Sequence, residues 1–135
     1  MNVRRLEKLA KHLESIPRKA FDQTRWISRH GNLEMSLVAA NKRGWTCGMA
    51  ACIGGHATVV FPELLGIRGY TVATTGSPRR WGMEAMQEVF GLCRDHAYIM
   101  TSAVARHQTP EAAAKFIRRL IARRPRCCGG TRGEK

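Results

Sequence analysis

Apolar positions recur at helical spacing near both ends of the chain. Val3, Leu6, Leu9, Ala10, Leu13 and Ile16 fall on one stripe, which predicts a helix over residues 2–16 that Pro17 stops. Ala113, Phe116, Ile117, Leu120 and Ile121 repeat the pattern at the other end. There Thr109, Pro110 and Glu111 form a helix start, with an acid in the first turn, and the helix is expected to run to about Arg123 before Pro125 ends it. Between these two lies a run without charge, residues 44–62. Within it Met49, Cys52, Ile53, His56, Ala57 and Val60 share a stripe over residues 47–61, while Ala50, Ala51, Gly54, Gly55 and Thr58 form a second face of small residues. A helix with no charge on any face is buried all round, so this is expected to be the central helix. Gly54 and Gly55 each cost a helix roughly 1 kcal/mol relative to alanine, so close packing of another backbone must offset them. Four glycines, a histidine and two threonines make the run too polar to cross a bilayer.

Other stretches read less sharply. Residues 18–26 form a connector that Phe21 and Trp26 pin to the core, with Asp22 as a turn or cap residue. In residues 31–44, Leu33, Met35 and Leu37 alternate with polar residues before Val38, Ala39 and Ala40, and both a strand and a helical turn fit. Residues 62–67 read as a short helical turn or an apolar connector. Residues 69–76 are rich in β-formers between glycines, as in an extended loop or one arm of a hairpin. Ser77 and Pro78 suggest the N-cap and first position of a helix carrying Trp81, Ala85, Val89 and Phe90 and stopping near Gly91. A further short helix is expected over residues 94–105. The pattern as a whole predicts a mainly α fold: a single-domain helical bundle of about five helices around a buried central helix, with room for a short hairpin or extended loop. Residues 1–126 are expected to form the domain and residues 127–135 a flexible basic tail.

Charge changes the picture more than length does. The 135 residues carry 23 Lys and Arg against 10 Asp and Glu, a net charge of +13, and a surplus of that size speaks about partners rather than fold. The cations group by helix. Arg4, Arg5, Lys8 and Lys11 lie in the first helix; Arg79 and Arg80 sit beside Trp81; Lys115, Arg118, Arg119, Arg123, Arg124 and Arg126 occupy the last helix and the start of the tail. Clustered arginine on helix faces is the expected footprint of phosphate contact. No zinc finger or helix-turn-helix pattern is present, so contacts to phosphates rather than base edges are expected.

Five cysteines raise two further chemistries. Cys52 and His56, four apart, would share a helix face with Cys47 near its start, and Cys93 and His96 would supply a second pair. Zinc needs four sulfur or nitrogen ligands. No CxxC is matched by a second CxxC or by paired histidines, so Cys47, Cys52 and His56 are weak metal candidates, cysteines in the core are the simpler reading, and no cofactor is expected. The adjacent Cys127 and Cys128 lack a prenylation box and read as incidental. A cysteine nucleophile at Cys47, served by His56, His96 or Asp95, would need an oriented base that spacing alone does not place. There is no phosphate loop and no pair of carboxylates, so the chain is read as a non-enzyme. With no apolar signal segment and an odd number of cysteines, reduced thiols in a cytoplasm, and no membrane contact, are the expectation.

The segment Cys47-Gly48-Met49-Ala50-Ala51-Cys52-Ile53-Gly54-Gly55-His56-Ala57 resembles a motif of small uncharacterised phage and bacterial proteins, in which Cys-Gly-Thr and a second Cys precede a small-residue run ending in Gly-x-Ala. Phe21, Asp22 and Trp26, the stretch Val89-Phe90-Gly91-Leu92, and Thr109, Pro110, Ala112, Ala113, Ile117 and Arg118 extend the likeness over most of the chain. Met49 and His56 depart from it, standing where the family has threonine and tryptophan. The resemblance implies a phage or mobile-element origin and no particular activity. Together with charge and size, it gives the expected function: an accessory protein that docks basic helix faces on nucleic acid or a host nucleoprotein complex, for instance as an anti-CRISPR type inhibitor of a bacterial defence system. The alternatives are docking on an acidic protein surface and a Cys/His metal-binding structural or regulatory protein.

Overall fold

The computed structural model describes residues 1–27, 36–45, 49–102 and 107–128. Among these residues six α-helices and one hairpin follow in chain order: α1 (Val3–Ser15), α2 (Leu37–Lys42), α3 (Ile53–Val60), β1 (Leu65–Arg68), β2 (Thr71–Thr74), α4 (Gly82–Phe90), α5 (Arg94–Thr101) and α6 (Pro110–Arg123). Short 3₁₀ turns occupy Arg18–Ala20 and Arg126–Cys128. The fold is mainly α, as the apolar periodicity predicts.

The two long helices are set by local chemistry. The Asn2 side chain accepts the Arg5 N–H at the start of α1, and Leu6, Leu9, Ala10 and Leu13 are buried along one stripe. At the start of α6 the Thr109 hydroxyl accepts the Ala112 N–H, Pro110 takes the first position, and Ala113, Ala114, Ile117 and Leu120 are buried. These stripes pack α1 against α6. Between them and α4 the core holds Ile53, Met86, Phe90 and Met100, with the Phe61 and Phe90 rings edge to face at 5.7 Å.

The central helix is shorter than its stripe suggests. Residues 49–52 are extended: Ala51 bridges Phe21 in parallel, and the backbone pairs of Asp22 with Ala51 and of Ala51 with Ala20 measure 2.9 and 3.1 Å. The connector therefore captures the first part of the stripe as a strand-like ladder, and the helix starts only at Ile53. Its glycines do what close packing requires. A Cβ on Gly54 would fall inside the Trp26 ring, and one on Gly55 would meet the Trp26 carbonyl oxygen. Asp22 serves as a turn residue, accepting the Thr24 N–H at 3.0 Å.

Three other expectations change. Leu37–Lys42 is helical with Ser36 as N-cap, while residues 31–35 lie outside the described residues. Residues 62–67 are expected as a turn or connector, but from Leu65 the chain forms β1, which pairs in antiparallel register with β2, Leu65 opposite Thr74 and Arg68 opposite Thr71. Ser77 and Pro78 do not open a helix. The chain beyond them pairs along β2, with the Thr74 N–H donating to the Arg80 carbonyl at 2.9 Å and the Arg80 N–H to the Thr74 hydroxyl at 2.8 Å. With Ala73 bridged to Trp81, whose backbone is extended, α4 begins only after Trp81. It ends at Gly91, whose φ of +63° is a left-handed stop. No helix among the described residues is long and apolar enough to cross a membrane.

Candidate functional site

Four elements meet at one end of the molecule. The Met1 amine donates to the Cys128 carbonyl at 2.7 Å, and the Asn2 N–H to the Phe90 carbonyl at 2.7 Å. The start of α1 is thus tied both to the end of α4 and to the turn after α6. Cys93 immediately precedes α5 and His96 lies in its first turn, so the three-residue spacing puts both on one side of the helix. Leu120 caps the end of α6 through the Arg124 N–H, and the chain then turns back through Pro125 to bring Cys127 and Cys128 against Cys93.

The ligand atoms of Cys93, His96, Cys127 and Cys128 all lie within 4.8 Å of one another. The His96 Nδ1 is 3.1 Å from the Cys93 Sγ, 3.2 Å from Cys127 and 3.4 Å from Cys128. Cys93 and Cys127 approach to 3.2 Å between sulfurs, and the Cys93 N–H donates to the Cys128 Sγ at 3.2 Å. Cys128 is buried, Cys127 exposed, and none of the described cysteines is in a disulfide. Burial pushes the Cys93 thiol up, but hydrogen bonds from His96, Cys127 and Cys128 outweigh it and bring the pKa down to about 6. Burial drives Cys128 the other way, to about 12. The set is chemically suited to a soft divalent cation.

Cys127 and Cys128, set aside as incidental, are thus half of this cluster. The pair Cys93 and His96 was the one signal in the sequence that pointed to it. The other metal candidates fare differently. Cys47 lies outside the described residues. Cys52 is the residue before α3 and is buried, and burial raises its thiol to about 11, so it stays protonated. His56 is fully buried with both ring nitrogens engaged. Nε2 donates to the Ala20 carbonyl at 2.7 Å, which leaves Nδ1 to accept from His12 Nε2 at 3.0 Å. No lone pair is left for a metal. Burial holds His56 at about 3 and His12 at about 4, so the pair is neutral and structural.

The predicted cations do not share one face. The Arg5 guanidinium donates to the Val89 carbonyl at 2.8 Å and ties α1 to α4. Arg80 pairs with Glu88 at 3.6 Å, beside Arg79 stacked 5.8 Å over Trp81. Arg118 makes two hydrogen bonds to Glu14, of 2.7 and 2.8 Å, across the α1–α6 seam. Arg4 and Lys115 are exposed. Lys8 lies 5.4 Å over the Phe61 ring and lines a shallow hollow with Lys11 and His12. A tighter cluster forms at the end of α6. There a cleft of about 250 Å³ is lined by His96, Phe116, Arg119, Leu120, Arg123 and Pro125, with two exposed guanidinium groups and no carboxylate among the described residues that line it. Arg124 and Arg126 follow, both exposed.

No protein-family model, curated protein or solved structure matches the chain.

Proposed function

We propose that this protein is a non-enzymatic binding module that docks the phosphate backbone of nucleic acid at the carboxyl end of α6. The supporting observation is the cleft beside His96, which Arg119 and Arg123 line together with apolar Phe116, Leu120 and Pro125 and no carboxylate among the described residues. Guanidinium groups are suited to phosphate oxygens, and Arg124 and Arg126 extend the charge beyond the cleft. Arg118 belongs to the same helix but is spent on Glu14, which makes it an internal control. The free thiols fit a reducing cytoplasm. The resemblance to phage proteins favours docking on a host nucleoprotein complex, as an anti-CRISPR type inhibitor would.

The test is salt-dependent binding to unrelated duplex and single-stranded DNA and RNA. Arg119→Glu with Arg123→Glu should weaken binding to all of them and reduce the salt slope by about 1.8 for duplexes and about 1.4 for single strands, at roughly 0.9 and 0.7 per phosphate contact. Arg118→Gln should leave affinity close to wild type. Equal losses from both changes, or no binding even at low salt, would refute the assignment. Capture of an acidic protein from nuclease-treated lysate, by contacts that Arg119 and Arg123 supply, would move the partner from nucleic acid to protein.

A further inference from the structure

We infer that Cys93, His96, Cys127 and Cys128 hold a structural zinc ion, independently of what the arginine cleft binds. Hydrogen bonding alone leaves the arrangement unexplained. One ring nitrogen offers either a single N–H or a single lone pair, yet three sulfurs lie within 3.4 Å of His96 Nδ1. A disulfide would use two of the thiols and leave the third, with the imidazole, unemployed. A cation at the centre uses all four.

Size supports the assignment. Zinc–sulfur bonds of about 2.3 Å and a zinc–nitrogen bond of about 2.0 Å make tetrahedral edges of about 3.8 Å between sulfurs and about 3.5 Å from sulfur to nitrogen. The observed separations run from 3.1 Å to no more than 4.8 Å and so bracket those edges. Side-chain adjustments of about half an ångström would complete the tetrahedron. Four protein ligands fill the zinc coordination, so the site is closed to substrate and structural in character.

The surroundings complete a thiolate site. The Cys93 N–H already donates to the Cys128 sulfur, the kind of outer hydrogen bond that supports a metal-bound thiolate. Three thiolates and one zinc ion leave a net charge of −1, and Arg94 and Arg126, each next to a ligand in sequence, are exposed cations that favour it. On binding, each thiol that is still protonated releases its proton to solvent as its sulfur bonds to zinc, with no change of oxidation state. The ion then joins the turn after α6 to the start of α5, and the Met1 contact to Cys128 brings the start of α1 into the same knot.

Cobalt titration of the reduced full-length protein reads the site directly. One equivalent should give the intense visible bands of tetrahedral cobalt thiolate, and one equivalent of zinc should displace them. Cys127→Ser and His96→Ala, at exposed and partly exposed positions, should each weaken metal binding at least tenfold. Cys52→Ala, which changes a thiol outside the cluster, should keep the bands. Circular dichroism checks that each variant is folded. If a variant fails to fold, zinc protection of the exposed Cys127 against alkylation in the wild-type protein, measured as the rate with and without zinc, reads the same site. Absence of the cobalt bands, bands that survive both ligand changes, or a Cys93–Cys127 disulfide that persists under reducing conditions would overturn the assignment.

Discussion

Mild acid should destabilise this protein through a histidine pair that has no exposed role. His56 is held at about 3 and His12 at about 4, against about 6.5 in an unfolded chain, in both cases chiefly by burial. The unfolded chain therefore binds more protons between those values, and stability rises with pH through that window. It is fully present above about pH 6.5 and is lost progressively as pH falls toward the folded values. Going from pH 7.5 to pH 5 costs about 2 kcal/mol for His56, at about 1.4 kcal/mol per unit. His12 reaches solvent at one edge and should add less, so the pair is expected to cost about 3 kcal/mol, a large part of a typical folding free energy of about 5–15 kcal/mol. The window lies above ordinary carboxylate titration, and Arg118 holds Glu14 lower still. Urea unfolding at both pH values, with chelator present so that metal release adds nothing, measures the difference. His12→Gln keeps a donor for His56 Nδ1 and removes one titrating ring, so its loss should shrink to about 2 kcal/mol. Equal unfolding free energies at pH 7.5 and pH 5 in the wild-type protein would show that these rings are not held neutral.

Three further changes test the packing. Gly55→Ala gains about 1 kcal/mol of helix propensity but drives its Cβ into the Trp26 carbonyl. Rigid backbone makes that overpacking the larger effect, so a net loss of about 1–2 kcal/mol is expected in chemical denaturation, and a stabilised variant would contradict the packing. Thr109→Ala removes the cap that accepts the Ala112 N–H and should cost about 1 kcal/mol by the same measurement. Glu14→Gln breaks the pair with Arg118, whose partners are both well exposed. It should therefore cost less than about 1 kcal/mol at pH 7, and a larger loss would mean that the pair is better shielded than its exposure indicates.

What could be read from the sequence follows the range of the forces involved. α1 and α6 were legible because caps, prolines and stripes act within a few residues. Gly54 and Gly55 signalled a close approach, although not that Trp26 supplies it. A hairpin with residues 69–76 as one arm is among the expectations, whereas the start of α3 and the stretch after Ser77 were misread for a shared reason: backbone pairing decides them. Phe21 takes Ala51 into a ladder, and Thr74 takes Arg80. Local propensity does not report such pairings. Composition gives the number of cations but cannot sort them, because only contacts show that Arg5, Arg80 and Arg118 are engaged within the protein.

The cysteine cluster was hidden for a related reason. Zinc motifs are recognised when ligands lie close in sequence, and here Cys93 and His96 are separated from Cys127 and Cys128 by the whole of α6. The rest of α5 and the connection before α6 also intervene, and the end of α6 returns the chain to the start of α5, so the ligands meet across 31 residues between His96 and Cys127. The same geometry makes the two proposed sites unequal. His96 and Pro125 form walls of the arginine cleft, and both sit on segments that the metal would join. Stripping the metal should therefore loosen the cleft and weaken phosphate binding, whereas Arg119→Glu and Arg123→Glu should leave metal binding in place. If chelation leaves nucleic-acid affinity unchanged while cobalt titration still reports one site, the metal holds the fold without shaping the cleft.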